Sequence, residues 1–334
     1  MRGSRGGLCT IRRVSLFSAV ERDLVVAART VLAEGVLALD LVAHNDRDLP
    51  AWTPGSHVDV LLGPGLERQY SLCGDLADRS RWRVAVLREP AGGGGSVALH
   101  DRVEVGQRLR VRGPRNHFAF EVTPGTRYRF VAGGIGITPL RAMVAAADAA
   151  GADWTLDYAG RSRTTMAFLT ELLTAHPDRV RVHAADEGAR LDVTQLLGGP
   201  RTDTSVHVCG PGRLIDAVEA ALAGWPAQAL HVERFEAKEF GEPVWPDPFE
   251  VELALTGETV TVAPGESVLE AVTAAGAVVL SSCRVGTCGT CETPVLEGPV
   301  EHRDSVLTPD EQAEDTVMMV CVSRAAGPRI VLDL

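Results

Sequence analysis

Ser281-Ser282-Cys283-Arg284-Val285-Gly286-Thr287-Cys288-Gly289-Thr290-Cys291 stands near the end of the 334-residue chain, and Cys321 follows after 29 more residues. In the plant-type spacing Cys-x4-Cys-x2-Cys…Cys, four thiolates hold one [2Fe–2S] cluster. Cys283, Cys288, Cys291 and Cys321 are therefore the expected iron ligands. Gly286 and Gly289 permit tight backbone conformations that turn N–H groups toward cluster sulfurs. The apolar run Val317–Val320 brings Cys321 in from the core side. Structural zinc usually takes two such cysteine pairs or adds histidines, and this segment has one pair. Disulfides do not suit a cytoplasmic chain. The other cysteines, Cys9, Cys73 and Cys209, are scattered, as buried or incidental thiols usually are.

Around this loop the last block shows a hairpin signal at Leu255-Thr256-Gly257-Glu258, a helix over 267–275 and a terminal strand over 330–332. One helix on a mixed sheet makes an α+β module of β-grasp type, expected over 249–334. From Pro248 onward the chain holds fourteen Asp and Glu against four Arg and no Lys, nearly all of its net charge of −11. An acidic module repels nucleic acid, so its surface serves either solubility or the docking of a partner.

Upstream, residues 236–248 read as a linker carrying Pro243, Pro246 and Pro248. Residues 125–235 alternate strand runs (128–132, 154–158, 180–184, 205–208, 230–232) with helical runs (139–150, 166–175, 214–223). This pattern predicts an α/β doubly wound parallel sheet. Residues 21–124 give short strand runs at 24–29, 36–43, 57–62, 70–73, 82–88 and 107–112 with no long helix between them. That predicts an antiparallel β-barrel. Residues 1–20 lack the apolar core of a secretory signal and read as a leader or linker. No apolar run reaches about 18 residues. The nearest, 24–42, is interrupted by Arg29, Glu34 and Asp40. A cytoplasmic monomer without a membrane span is expected.

Two motifs carry chemistry. In Arg68-Gln69-Tyr70-Ser71 an extended strand throws Arg68 and Tyr70 to one face, where a ring can line a flat heterocycle and a guanidinium can hold phosphate. Arg88 and the tract Gly92-Gly93-Gly94-Gly95-Ser96 follow; consecutive glycines offer N–H groups to phosphate oxygens, or form a merely flexible loop. The second motif, Gly133-Gly134-Ile135-Gly136-Ile137-Thr138-Pro139, follows the first strand of the α/β block. Thr138 suits an N-cap and Pro139 the first helical position. It departs from the G-x-G-x-x-G fingerprint, and a plain βα turn is the other reading. Cys209-Gly210-Pro211 ends another strand at the carboxyl edge where open sheets bind ligands. Cys209 is either a buried thiol or a group facing a nicotinamide.

Arg68-x-Tyr70-Ser71, the Gly133–Pro139 motif, Cys209-Gly210-Pro211 and the C-terminal cysteines, in this order, resemble the ferredoxin–NADP reductase superfamily. More narrowly, the chain resembles phthalate dioxygenase reductase and its relatives, including the reductase parts of self-sufficient cytochrome P450 fusions. The resemblance covers the chain from about residue 21. It implies an FMN barrel, an NAD(P)H domain and a ferredoxin domain. It also places flavin contacts at Arg68, Gln69, Tyr70, Ser71, Val86, Leu87, Arg88, Gly94, Gly95, Ser96, Val97 and Thr138. Gly134, Cys209, Gly210 and Pro211 fall to the dinucleotide, and Phe235 to the aromatic stacked near the isoalloxazine. Thr138, Cys209 and Phe235 are the expected catalytic group. At Leu87, where relatives carry lysine, the departure leaves more phosphate charge to Arg88.

The parts imply an NAD(P)H-dependent reductase passing electrons through flavin and cluster to an oxygenase, either a Rieske non-haem iron enzyme or a fused P450. The alternative is a ferredoxin-like carrier with a degenerate nucleotide domain. At the strand end Ala159-Gly160-Arg161-Ser162-Arg163 the sequence offers arginines and no carboxylate, which favours the 2′-phosphate of NADPH.

Overall fold

The computed structural model describes residues 20–63 and 65–334; apart from Val20, the expected leader lies outside them, as does Cys9. The first sheet comprises β1 (Glu21–Ala33), β2 (Val36–Ala43), β3 (His57–Leu61), β4 (Glu67–Ser71), β5 (Arg81–Leu87) and β6 (Arg108–Arg115), with α1 (Gly95–Asp101) before the last strand. Its order is β4-β3-β6-β1-β2-β5, antiparallel throughout. Just past β4 the chain returns to β5: Leu72 bridges Val84, and Cys73 N–H donates to Arg83 O at 2.9 Å. The two edges thus meet, and the sheet closes as a barrel. Alternate residues fill it, among them Val26, Leu39, Leu41, Val58, Val60, Val84 and Val111, with Leu99 of α1 closing one end. β1 runs longer than its apolar pattern predicts, because bulges at Val26/Ala28 and Val31/Ala33 let one strand bend around the barrel.

The second sheet is parallel, ordered β11-β10-β7-β8-β9. Its elements are β7 (Arg127–Gly133), α2 (Ile137–Ala149), β8 (Asp153–Gly160), α3 (Leu169–Ala175), β9 (Val180–Ala184), α4 (Val193–Leu197), β10 (Thr204–Cys209), α5 (Gly212–Ala221) and β11 (Leu230–Glu233). Leu140, Met143, Leu169 and Leu172 of α2 and α3 pack on Phe130, Trp154 and Leu156. Val193, Leu197, Ile215 and Val218 of α4 and α5 pack with Val131, Val206 and Val208 on the other face. Helices on both faces leave the carboxyl edge open, where Gly133, Gly160, Cys209 and Glu233 end their strands. α3 starts at Leu169, three residues later than its pattern predicts, because Phe168 is left-handed with φ 60°.

The third sheet is mixed, ordered β13-β12-β18-β14-β16, and a two-stranded ribbon joins β15 to β17. It is built from β12 (Phe249–Leu253), β13 (Glu258–Val262), α6 (Val268–Ala274), β14 (Glu292–Glu297), β15 (Val300–Glu301), α7 (Pro309–Ala313), β16 (Val317–Met319), β17 (Arg324–Ala325) and β18 (Arg329–Leu332). α6 begins at a capping box in which Ser267 and Glu270 satisfy each other's N–H groups, and its Val268 and Val272 join the core around Phe249, Val251 and Ile330. α7 carries a second box, Thr308/Glu311, with Pro309 in its first turn. Among the described residues no helix is long and apolar enough to cross a membrane.

Candidate functional site

The loop between α6 and β14 brings Cys283, Cys288 and Cys291 to the end of β16, where Cys321 follows. Their sulfurs share one place: Cys283 contacts Cys288, and Cys321 contacts both Cys283 and Cys291. None of the six described cysteines is in a disulfide. The neighbouring Cys283 sulfur, then burial, pushes the Cys288 thiol above its ordinary range. Four crowded sulfurs are stable as thiolates only around a cationic metal centre. The loop backbone is already aimed at them. Val285 and Thr287 N–H groups donate to Cys283 Sγ, each at 3.4 Å, and Thr290 N–H donates to Cys288 Sγ at 3.4 Å. Such donors favour a cluster carrying negative charge. The residues fit a [2Fe–2S] group.

In the barrel, Arg68 reaches across the glycine tract and donates from Nη2 to Gly93 O at 2.7 Å. A side chain at Gly93 or Gly95 would land 2.0 Å from Arg68 Nη2 or 2.3 Å from its Cγ, so either would displace this arginine. The tract is not wholly a loop. Gly94, left-handed at φ 81°, starts α1, which contains Gly95, Ser96 and Val97. Ser96 Oγ accepts from Glu89 N–H at 3.0 Å, which ties the helix start to the end of β5 beside Val86 and Leu87. The Arg88 guanidinium is paired with Asp101 at 2.9 Å in an exposed ion pair, and Arg68 is the cation lying on the glycines. Burial pushes the Tyr70 phenol up, well out of its ordinary range.

At the carboxyl edge of the parallel sheet, a 3-10 turn over Gly134–Gly136 leads into α2. This corrects the expected capping. Thr138 is buried inside the first turn, and its hydroxyl donates back to Ile135 O at 2.9 Å; the turn before the helix leaves neither Thr138 nor Pro139 at the boundary. A side chain on Gly136 would fall 2.3 Å from Cys209 O, and one on Gly133 2.7 Å from Pro211 Cδ. Gly133 and Gly136 therefore pack directly against Cys209, Gly210 and Pro211. Cys209 is fully buried, and burial followed by the nearby Glu233 carboxyl holds its thiol well above the ordinary range.

Glu233 is the site residue that the sequence did not single out. It lies opposite Cys209 in the β10/β11 register, and Ser71 Oγ of the barrel donates to its Oε2 at 3.4 Å. Burial pushes its carboxyl up to about 8, against the smaller opposing effect of that hydrogen bond. One contact thus joins the Arg68–Ser71 strand to the carboxyl edge. Phe235, two residues on, is 42% exposed and free of the core, as a stacking ring must be. Arg234 between them is anchored to Asp216 at 2.8 Å and Glu219 at 2.9 Å.

Arg161, Ser162 and Arg163 lie beyond β8 at some remove in sequence from these groups. The expectation of a tip without a carboxylate is not met. Glu187, from the turn after β9, pairs with Arg163 Nε at 2.7 Å, and Asp186 N–H donates to Arg161 O at 3.0 Å. The turn after a neighbouring strand supplied what the local sequence lacked.

Residues 251–326 match the family of 2Fe-2S iron-sulfur cluster binding domains. Over 316 residues the chain is 43% identical to a putative toluene-4-sulfonate monooxygenase system reductase subunit of Comamonas testosteroni, across 93% of this chain and 98% of that protein. The solved structure of phthalate dioxygenase reductase, described as modular and transferring electrons from pyridine nucleotides to [2Fe-2S], aligns with a TM-score of 0.68 at 33% identity. That alignment covers 94% of this chain and 98% of that one. An intact type IV self-sufficient cytochrome P450 monooxygenase aligns with a TM-score of 0.89 at 46% identity over 94% of this chain. The chain spans 41% of that fusion.

Proposed function

The chain belongs to the family of oxygenase-system reductases that includes phthalate dioxygenase reductase, and on that premise we propose that it passes electrons from NAD(P)H through a flavin and its [2Fe–2S] cluster to an oxygenase. The observation that carries this reading is the Ser71–Glu233 contact, which sets the expected flavin strand against the expected nicotinamide edge in a chain whose four cysteine sulfurs also converge. A bound flavin accepts two electrons together as hydride and releases them singly, which suits a one-electron cluster.

The chain's residues divide the remaining work. Arg68, with Gly94, Gly95 and Ser96, holds the flavin's phosphate, while Gln69, Tyr70, Ser71, Val86, Leu87, Val97 and Thr138 border the ring system. FMN is the proposed form, on the resemblance to phthalate dioxygenase reductase and its relatives. Gly134, Thr138, Cys209, Gly210 and Pro211 would receive the nicotinamide end, and Phe235 would stack near the flavin ring. Glu233 is neutral near pH 7 and offers a proton-bearing carboxyl beside Ser71. Cys209 stays a thiol, giving a small neutral wall. Arg161, Ser162 and Arg163 meet the adenosine ribose. NADPH is favoured over NADH by a small margin, since a 2′-phosphate must compete with Glu187 for Arg163. Residues 21–124, 125–235 and 249–334 make the flavin, nucleotide and cluster units of this scheme, joined by 236–248.

Anaerobic titration of the loaded protein with NADPH tests the reading. Overlapping flavin and [2Fe–2S] absorption bands are expected, and both bleach. A preparation correctly supplied with flavin, iron and sulfide that stays colourless overturns it.

A further inference from the structure

Between the barrel and the cluster loop lies a junction where His117 and Gly289, to which the scheme above gives no role, meet. Gly289 stands between Cys288 and Cys291 with φ 70°. A side chain there would land 2.5 Å from Cε1 and Nε2 of His117, so the imidazole edge rests on the Gly289 backbone. His117 follows β6 in the barrel. It stacks on His57, with ring centroids 5.9 Å apart and planes 28° from parallel. His57 is buried in β3 directly opposite Ser71 of β4, and burial, helped by Arg115 and His117, pushes it down to about 3. The two rings thus span from the Ser71 strand pair to the cluster loop.

A second contact runs beside the first. The Gln69 amide donates to Asp59 Oδ1 at 3.1 Å, and the same side chain lies beside the Cys288 sulfur. Asp59 is fully buried and fixed by Arg115 and by Arg112 Nε at 3.0 Å. An amide nitrogen carries two hydrogens. With one committed to a fixed anion, the other has a defined direction toward sulfur. Gln69 and Arg68 leave β4 on opposite faces, so one strand addresses the glycine tract with one side chain and the cluster loop with the next.

We propose that Gln69 and His117 are positioning residues of the electron-transfer junction: they seat the Cys288-Gly289 segment against the flavin strand, and Gln69 raises the reduction potential of the cluster by donating to Cys288 Sγ. This rests on the function proposed above. An N–H group pointed at a ligand sulfur stabilises the extra negative charge of the reduced cluster more than the oxidised one, so its removal lowers the potential. No bond forms or breaks: one electron leaves the reduced flavin and one arrives on the cluster in each transfer.

The test uses the loaded full chain and rapid mixing with NADPH. In His117→Ala, flavin bleaching keeps its wild-type rate, whereas the following cluster reduction slows about tenfold or more, as expected when a contact is misplaced by ~1 Å. In Gln69→Leu, redox titration monitored by the electron paramagnetic resonance of the reduced cluster gives a lower potential than wild type. Gly289→Ala slows cluster reduction in the wild-type background and slows it less in His117→Ala, because the ring that the new methyl meets is gone. If either single variant fails to take up its cluster, His117→Phe, which keeps a flat ring over Gly289, must restore loading and fast transfer. Wild-type transfer in His117→Ala, an unchanged potential in Gln69→Leu, or additive effects of His117→Ala and Gly289→Ala overturn the proposal. A wild-type cluster that stays oxidised after the flavin is reduced defeats the functional reading instead.

Discussion

The cluster loop and the tip of β8 are both proposed to bind through few side chains, yet they are built in opposite ways. Between Cys283 and Cys291 the sulfurs and the N–H groups that serve them come from one stretch of nine residues, and only Cys321 is remote. At the tip, Arg163 takes its electrostatic character from Glu187, on a different turn. Coordination chemistry demands a ligand count and a spacing, so it is written locally. Coenzyme preference is a sum of charges brought together by the fold, and a local reading sees only part of the sum.

The largest effect that can break this comparison is at the loop. Cys288→Ser should abolish or severely weaken cluster assembly and, with it, cytochrome c reduction. NADPH-dependent ferricyanide reduction should largely survive, because hydride transfer uses residues of the other two sheets. Equal loss of both activities with flavin still bound would mean that the loop is not downstream of the flavin.

Glu233 lies between the two cases, a half-buried group whose partner Ser71 comes from another sheet. Its carboxyl is raised from the ordinary 4.5 to about 8. A raised folded-state value means that the folded chain holds the proton more tightly. The associated stability is complete below about 4.5 and is lost as pH rises through about 8. The loss is on the order of a few kcal/mol. Urea midpoints of the apoprotein should therefore fall between pH 5 and 8.5 in the wild type and fall less in Glu233→Gln. Parallel curves would show that the carboxyl is solvated.

The smallest effects belong to the tip. Both partners of the Arg163–Glu187 pair are exposed, which keeps the interaction weak. Arg163→Ala should raise KM for NADPH roughly fivefold with little change for NADH, and Glu187→Gln should lower KM for NADPH by freeing the arginine. Equal effects on the two coenzymes would remove Arg163 from the ribose site.

The same division explains what was legible in the sequence. The four cysteines, the strand–helix alternation before Phe235 and the helix starting at Ser267 are patterns over a few residues, and they appear in the structure as sheet, helix and loop. The closing of the barrel through Leu72 and Val84, the Ser71–Glu233 contact and the pairing of Arg88 with Asp101 join distant residues. Thr138 shows the intermediate case. Its place near the helix start was legible, but the 3-10 turn that displaces it from the cap depends on packing of Gly136 against Cys209.

The most direct measurement of the central claim is anaerobic rapid mixing of the fully loaded protein with NADPH, followed at flavin and cluster wavelengths. Flavin absorbance should bleach first, at a rate that depends on NADPH concentration. Cluster absorbance should then bleach in a later phase that does not. Cluster reduction that precedes flavin bleaching, or proceeds unchanged in protein stripped of flavin, would contradict the account.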